Sequence, residues 1–512
     1  MPVQRLILLS FIIFSVFFAG CTFDVSGPSG QNTSNNIPDA SDDITDSGDI
    51  ADISDVSDVS DISDIEDASD VSDSGSDDIL DSGDDVIDSG VECEADDSTC
   101  LDDFTLQFCN SSGEFDTSVC EFGCDHTLTP NGCLDFIPSN GLDKTILSTS
   151  GLLPFEISAT AVFNSSTGEI TVDGVQLRAP GEGMDLENGI IYSQHAMSDG
   201  RAAGVFAFTS FTVQPTGIVR VIGDIPVIFL AESIYIRGIL DVSANIQNCE
   251  AANRRCPGPG GFGGGSTNSD GQGPGAGKKG IEDWWDEDET GGGGAGFNCE
   301  GASGGGGTGG AAGSIYGNEM NEPLVGGSGG GGGGHYELGN ENNGQGLGGG
   351  GAGAVQLTAL SVVSVGNSVG TPCGIKASGA GGGGNDSYAN SGGGGGGSGG
   401  AVIIEAPHIQ LFPGSTLAAN GGGGGAGKDG ADGNYGHFDA TPADGAQCSD
   451  CNTGGNGASL NASVPASGSD ADGNDGTGGG GAGTGRITIR DCISFINSGI
   501  ISPSPHLGGC HR

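Results

Sequence analysis

The chain has 512 residues, including 105 Gly, 15 Cys and two Trp, and its 67 acidic against 15 basic side chains give a formal net charge of -52. Eighty of the glycines lie between Pro257 and Gly485, with no Gly-X-Y period, which excludes collagen. About half of the acids precede Lys144, and no Lys or Arg stands between Arg5 and Lys144, which excludes nucleic-acid binding through a basic face.

Residues 1–20 read as a signal peptide: Arg5, an apolar run from Leu6 to Phe18 broken only by Ser10 and Ser15, then Ala19 and Gly20. The run is too short to span a hydrocarbon core of about 30 Å as a helix. Phe18-Ala19-Gly20-Cys21 resembles the bacterial lipobox, although Phe18 stands where that pattern favours an aliphatic residue. The resemblance implies acylation of Cys21, cleavage before it and attachment to a membrane through lipid chains, of which two already suffice for stable anchoring. Thr22 stands where an Asp would resemble an inner-membrane retention signal, so the expected destination is the outer membrane of a Gram-negative bacterium.

Residues 21–91 are expected to be a disordered acidic spacer. From Asp52 to Asp73 an Asp recurs every third residue with Ser, Ile and Val between, a period that suits neither strand nor helix. Like charges so spaced repel and extend the chain. In composition the spacer resembles the Ser-Asp stalks of bacterial surface adhesins. No cofactor is called for; calcium is the one ion such carboxylates suit, weakly, because no ligand geometry is fixed.

Apart from Cys21, the cysteines fall into two even groups. Cys93, Cys100, Cys109, Cys120, Cys124 and Cys133 lie in a module spanning 92–136, and Cys249, Cys256, Cys299, Cys373, Cys448, Cys451, Cys492 and Cys510 are spread over the rest. Even counts in an exported chain predict disulfides at all fourteen, with the pairing left open. Cys448-Ser-Asp-Cys451 fits a loop disulfide better than a redox pair or half a zinc site. The segments Leu106-Gln-Phe-Cys109, Cys120-Glu-Phe-Gly-Cys124 and Asn131-Gly-Cys133 resemble short cysteine modules in surface lipoproteins of myxobacteria and related bacteria.

Residues 140–512 are expected to be β-rich. Strand signals at Leu153–Phe163, Glu169–Leu177, Val205–Val213 and Gly217–Ile222 precede a unit found four times, beginning at Val227, Val355, Val402 and Ile487. Each unit is an apolar strand, a two-residue break, an alternating strand and a glycine; in three of them a short third strand follows, at Ile239, Ser415 and Ile500. Three short strands per unit predict a parallel β-solenoid, with an antiparallel sandwich as the competing architecture. Glycine-rich inserts at about 257–353, 379–400 and 421–485 separate the units. Ordering glycine costs more backbone entropy than ordering any other residue, so the default for them is mobile loop. Glycine-rich chains can also pack as hydrogen-bonded bundles of three-residue-per-turn helices, as in proteins resembling some phage adhesins and antifreeze proteins, but the inserts fix no register.

Candidate contact residues are the aromatics of the inserts, Trp284, Trp285, Tyr388 and Tyr435, which suit sugar or protein surfaces. The calcium nonapeptide at Gly381–Ala389 has no second copy, and Gly422–Lys428 is followed by Asp429 where a phosphate loop needs Ser or Thr. Asp241, Glu405 and Asp491 lie in the repeat units, but Glu405 and Arg490 share a repeat position, which predicts an inter-repeat charge pair rather than a catalytic dyad.

From lipobox to the closing Gly483-Thr-Gly-Arg-Ile-Thr-Ile489 and Ile501-Ser-Pro-Ser-Pro505, the chain resembles glycine-rich surface lipoproteins of myxobacteria and their relatives, a resemblance that implies no particular activity. The expectation is a non-catalytic, lipid-anchored surface protein with a structural or adhesive role and a polysaccharide or cell-surface protein as ligand. The alternative is a polysaccharide-degrading lyase or hydrolase on a β-helix.

Overall fold

The computed structural model describes residues 93–509 except 95, 103, 121, 126–129, 245–255, 282–288, 336–345, 368–369, 385–390, 429, 448–450 and 471–475. The chain divides into two units, Met1–Val86 and Ile87–Arg512. The first, with the signal peptide, Cys21 and most of the spacer, lies outside the described residues. Those residues are mostly β, contain no α-helix, and include no helix long and apolar enough to cross a membrane.

The cysteine module is a three-stranded antiparallel meander, β1 (Ser98–Asp102), β2 (Thr105–Cys109) and β3 (Phe115–Val119), followed by the two-residue pair β4 (Cys124–Asp125) and β5 (Gly132–Cys133). Its apolar side chains are largely spent on solvent: Leu101, Phe104, Phe115 and Val119 are exposed, and among the described residues of the module only Cys120, Cys124 and the terminal Phe136 belong to the buried apolar set. Disulfides Cys93–Cys109, Cys100–Cys124 and Cys120–Cys133 therefore do what a core does elsewhere, by limiting the unfolded chain.

Two sheets face each other across the main core. The stack opens with β6 (Phe155–Ile157) and β7 (Thr160–Asn164) and is closed at this end by antiparallel strands: β8 (Ile170–Val172) and β9 (Val175–Arg178) on one sheet, β10 (Gly183–Asp185) and β11 (Ile190–Ala196) on the other. Five repeats follow, each a long strand in the first sheet and a short one in the second. They are β12 (Ala202–Val213) with β13 (Ile218–Ile222), β14 (Val227–Ile236) with β15 (Ile239–Asp241), β16 (Ala354–Val365) with β17 (Cys373–Lys376), β18 (Ala401–Leu411) with β19 (Ser415–Ala418), and β20 (Arg486–Asn497) with β21 (Ile500–Ser502). A last strand, β22 (His506–Gly509), lies beside the first half of β20. Strands of successive repeats pair parallel, so the antiparallel sandwich is not formed.

The register is the one the repeat spacing implies: Val227 pairs with Val355, Val355 with Val402, and Val402 with Ile487. Three details differ from the sequence reading. The stretch Val205–Ile222 is a fifth copy of the unit. The break between the first two strands is no corner: the ladder runs on through it, absorbing extra residues as register shifts between Thr358 and Val362 and between Ala406 and His408. The unit beginning at Val355 also has its short strand, displaced to Cys373–Lys376, where Gly374 pairs with Ile239. Phenylalanines fill the core at the N-terminal end, with Phe211 and Phe229 stacked at 4.8 Å. Valine, isoleucine and alanine fill it further along.

The described residues of the glycine inserts are ordered, against the expectation of mobile loops. From Gly392 to Gly400 consecutive amides donate in rotation to three different chain segments at 2.8–3.2 Å. Gly392, Gly395 and Ser398 reach Gly334, Gly331 and Ser328; Gly393, Gly396 and Gly399 reach Thr477, Gly480 and Gly483; Gly394, Gly397 and Gly400 reach Gly383, Ala380 and Ala377. The same stretch accepts from three more segments, through Gly292 and Ala295, Gly349 and Ala352, and Gly422 and Gly425. A three-residue extended helix turns each successive N–H by about a third of a revolution, which produces this six-neighbour lattice. Every such bond meets a buried backbone group that would otherwise be orphaned, and this offsets the ordering entropy. Glycine is needed here for space rather than for φ. None of residues 392–400 has a left-handed φ, but a Cβ on Gly395 would lie 2.0 Å from the Gly293 carbonyl oxygen.

Two calls on the cysteines change. Cys256, Cys451 and Cys492 are disulfide-bonded, whereas Cys299 and Cys373 are free thiols. The reason is placement. Cys299 Sγ sits in the glycine bundle 3.3 Å from the Thr484 amide, and Cys373 starts β17 with its Sγ 3.9 Å from the Gly414 carbonyl, so each faces backbone rather than another cysteine. Cys249, Cys448 and Cys510 lie outside the described residues.

The bundle yields a direct test. Gly395→Ala is expected to lower stability by at least about 2 kcal/mol in denaturant unfolding, through overpacking. Gly307→Ala, at an exposed site with nothing within 4 Å of the added carbon, is expected to stay within about 0.5 kcal/mol of the parent.

Candidate functional site

Beyond the register shifts, the long strands of the first sheet have one face on the core and one toward solvent. Ile234, Ile236, Val363, Val365, Ile409 and Leu411 point inward and are buried. The alternate positions point out. Because strands stack in register about 4.8 Å apart, outward side chains of successive repeats form rows: Thr212, Tyr235, Ser364, Gln410 and Ile496 in one, Ser210, Ser233, Val362, His408 and Ser494 in the next. His408 Nδ1 and Ser494 Oγ lie 2.9 Å apart along the second row.

Tyr235, Val362, Ser364 and Gln410 of these rows floor an open groove of about 960 Å³, walled by the corners that carry Pro215, Arg237, Asn367, Phe412 and Pro413. It crosses the strands and so runs along the stacking direction through four repeats. Arg237 is the one charged residue among the described lining residues, and none is acidic. Its guanidinium lies over the Tyr235 ring at 5.5 Å, a favourable cation–π geometry. The backbone at that corner is fixed by Asn367, whose Nδ2 donates to the Arg237 carbonyl at 2.7 Å.

On the opposite half of the same sheet face, the polar side chains are buried instead. Glu405 is fully buried and pairs with Arg490 at 3.0 Å, the inter-repeat charge pair that the shared repeat position predicts. Its Oε1 accepts from Gln356 Nε2 at 2.8 Å and Thr358 Oγ1 at 2.7 Å, and its Oε2 from the Ser139 amide at 3.0 Å. Asn140, in the left-handed region at φ 57°, donates to Gln356 Oε1 at 2.9 Å and accepts from the Leu324 amide at 2.9 Å. The cluster thus fastens the segment after the cysteine module onto the sheet, with every lone pair of the carboxylate engaged, as a buried charge requires.

A second cluster ties β20 to the bundle. Phe297 and Tyr316 stack at 4.5 Å, Arg486 lies over Phe297 at 5.1 Å, and its Nη1 donates to the Asn318 carbonyl at 2.7 Å. Burial pushes the Tyr316 phenol well above its usual range and lowers the Arg486 guanidinium; burial likewise raises the Cys373 thiol.

Of the aromatics singled out by sequence, Trp284, Trp285 and Tyr388 lie outside the described residues, and Tyr435 is half-buried in the bundle and does not line the groove. Asp241 lies on the second sheet, where it accepts from the Ser243 amide, whereas Glu405 and Asp491 lie on the first, so the three carboxylates do not converge. Among the described residues, no group of three or more His, Cys, Asp or Glu side chains could hold a metal ion. The groove residues went unnoticed in the sequence because each is an unremarkable polar or apolar side chain; the signal was their recurrence at one repeat position. No protein-family model, curated protein or solved structure matches the chain.

Removing the buried charge tests the fastening. Glu405→Ala leaves Arg490 with the half-exposed Glu322 at 3.3 Å as its ion-pair partner and is expected to cost about 3–5 kcal/mol. Hydrogen exchange at the Ser139 amide is expected to accelerate well before the sheet amides do.

Proposed function

We propose that this is a lipid-anchored bacterial cell-surface protein, held in the outer membrane through Cys21 and carried outward on the acidic spacer. Its β-repeat domain is a parallel β-solenoid with a structural or adhesive role. The observation that carries the adhesive reading is the groove along the repeat axis: a shallow, open channel lined by hydroxyl, amide and aromatic side chains on a rigid sheet suits a polymer lying lengthwise. The ligand class it fits is a polysaccharide. An enzyme of the lyase or hydrolase kind would place carboxylates against the scissile bond, and the described groove lining contains none. The hydrogen-bonded glycine lattice of the described residues supports a structural role beside the adhesive one.

Two measurements test this. Cys21→Ser is expected to abolish incorporation of labelled fatty acid and to move the protein from the membrane to the soluble fraction; unchanged fractionation would remove the anchor. The full chain, incubated with a panel of bacterial and plant polysaccharides with and without calcium, is expected to be retained on at least one polymer without generating reducing or unsaturated ends. New ends would replace adhesion with catalysis.

A further inference from the structure

We propose that the groove selects a linear polysaccharide that bears carboxylates, and that Arg237 is the residue that receives them. The inference rests on the adhesive reading above and sharpens it to a ligand charge.

Charge is the first argument. In a chain with 67 acidic and 15 basic side chains, an exposed guanidinium ought to find a carboxylate at hand. Lys144, Arg201 and Lys278 each do, with Asp135, Asp199 and Asp270 in turn. Arg237 makes no ion pair among the described residues, and no described acid lines the groove it overlooks. Stacking on Tyr235 restrains the planar group and leaves its edge N–H donors for a carboxylate, which they match two to two. The Asn367 bond to the Arg237 backbone fixes the point from which the side chain departs.

The second argument is the hydrogen-bonding capacity left over. Among the described residues, Tyr235 Oη, Ser364 Oγ and the Gln410 amide make no hydrogen bond within the protein, although all three lie in the groove. They are spaced by the strand repeat, so a ligand with hydroxyls along its length can engage one after another. Phe412, 44 % exposed, offers an apolar face at the far wall for a sugar ring. From the first to the fourth repeat the lining extends about 14 Å, enough for a short run of sugars. A polypeptide fits less well: the groove floor is the face of a paired sheet and presents no free strand edge for a peptide backbone to extend.

The test uses the full chain in detergent and three polymers at about 0.15 M salt, where screening confines charge effects to about 8 Å: polygalacturonate, its fully methyl-esterified form, and poly-L-glutamate. Polygalacturonate is expected to bind about tenfold more tightly than the ester, the size of one charge-assisted contact, and more tightly than polyglutamate. Arg237→Gln is expected to erase the difference between acid and ester while leaving the thermal midpoint unchanged. Arg237→Lys is expected to restore part of the preference, and Arg201→Gln none of it. Equal affinity of parent and Arg237→Gln for polygalacturonate would overturn the inference yet leave the groove reading standing, provided Phe412→Asp weakens both pectic polymers. Equal or tighter binding of polyglutamate would replace the polysaccharide with an acidic polypeptide. No binding of any polymer would overturn the groove reading itself.

Discussion

Consecutive backbone amides that point to three different neighbours are what the rest of this domain depends on. In a β-ladder each strand has two partners, and a third dimension must be filled by side chains. Residues 392–400 have six partners and almost no side chains, so main-chain hydrogen bonding extends in every direction across the axis. The repeat strands continue this lattice: the Gly400 amide reaches Ala377, the Ala401 amide reaches Gly353, and the Arg486 amide reaches Gly400. The first sheet therefore rests against hydrogen-bonded backbone at one end and an apolar core on one face.

Much of the sheet architecture is legible in the sequence, and the reason is stoichiometric. A parallel stack places like positions over one another, so a repeated pattern of apolar residues carries the register with it. Val227, Val355, Val402 and Ile487 head their units in the sequence and pair in the ladder. The last strand of the unit beginning at Val355 escaped because Cys373-Gly-Ile-Lys376 has one branched apolar residue, and burial there comes from packing rather than pattern. The continuity of the long strands escaped for a different cause: a register shift and a corner both appear in sequence as an interruption of alternation.

The glycine segments show the converse. Their sequence has neither periodicity nor apolar face, and their single-residue preferences all favour disorder. Order comes only when several segments are present together, since each backbone supplies what the others lack. Propensity is a property of one segment and could not have reported it. The groove was hidden in a related way. Tyr235, Ser364 and Gln410 are unexceptional taken singly, and only stacking makes them a surface. Glu405 and Arg490 were visible because opposite charge at one repeat position carries meaning of its own.

The bundle also dictates an order of events. Its central stretch near Gly395 is built on partners from Gly292 to Gly483, so nearly two hundred residues of chain separate the first contributor from the last. Such high contact order makes assembly slow and leaves little that can form progressively behind an advancing N-terminus. A chain made available from its N-terminus onward would fold its cysteine module and first repeats early, and then wait. The lattice can close only after the final glycine run is present, which makes the last repeat the latch of the whole domain.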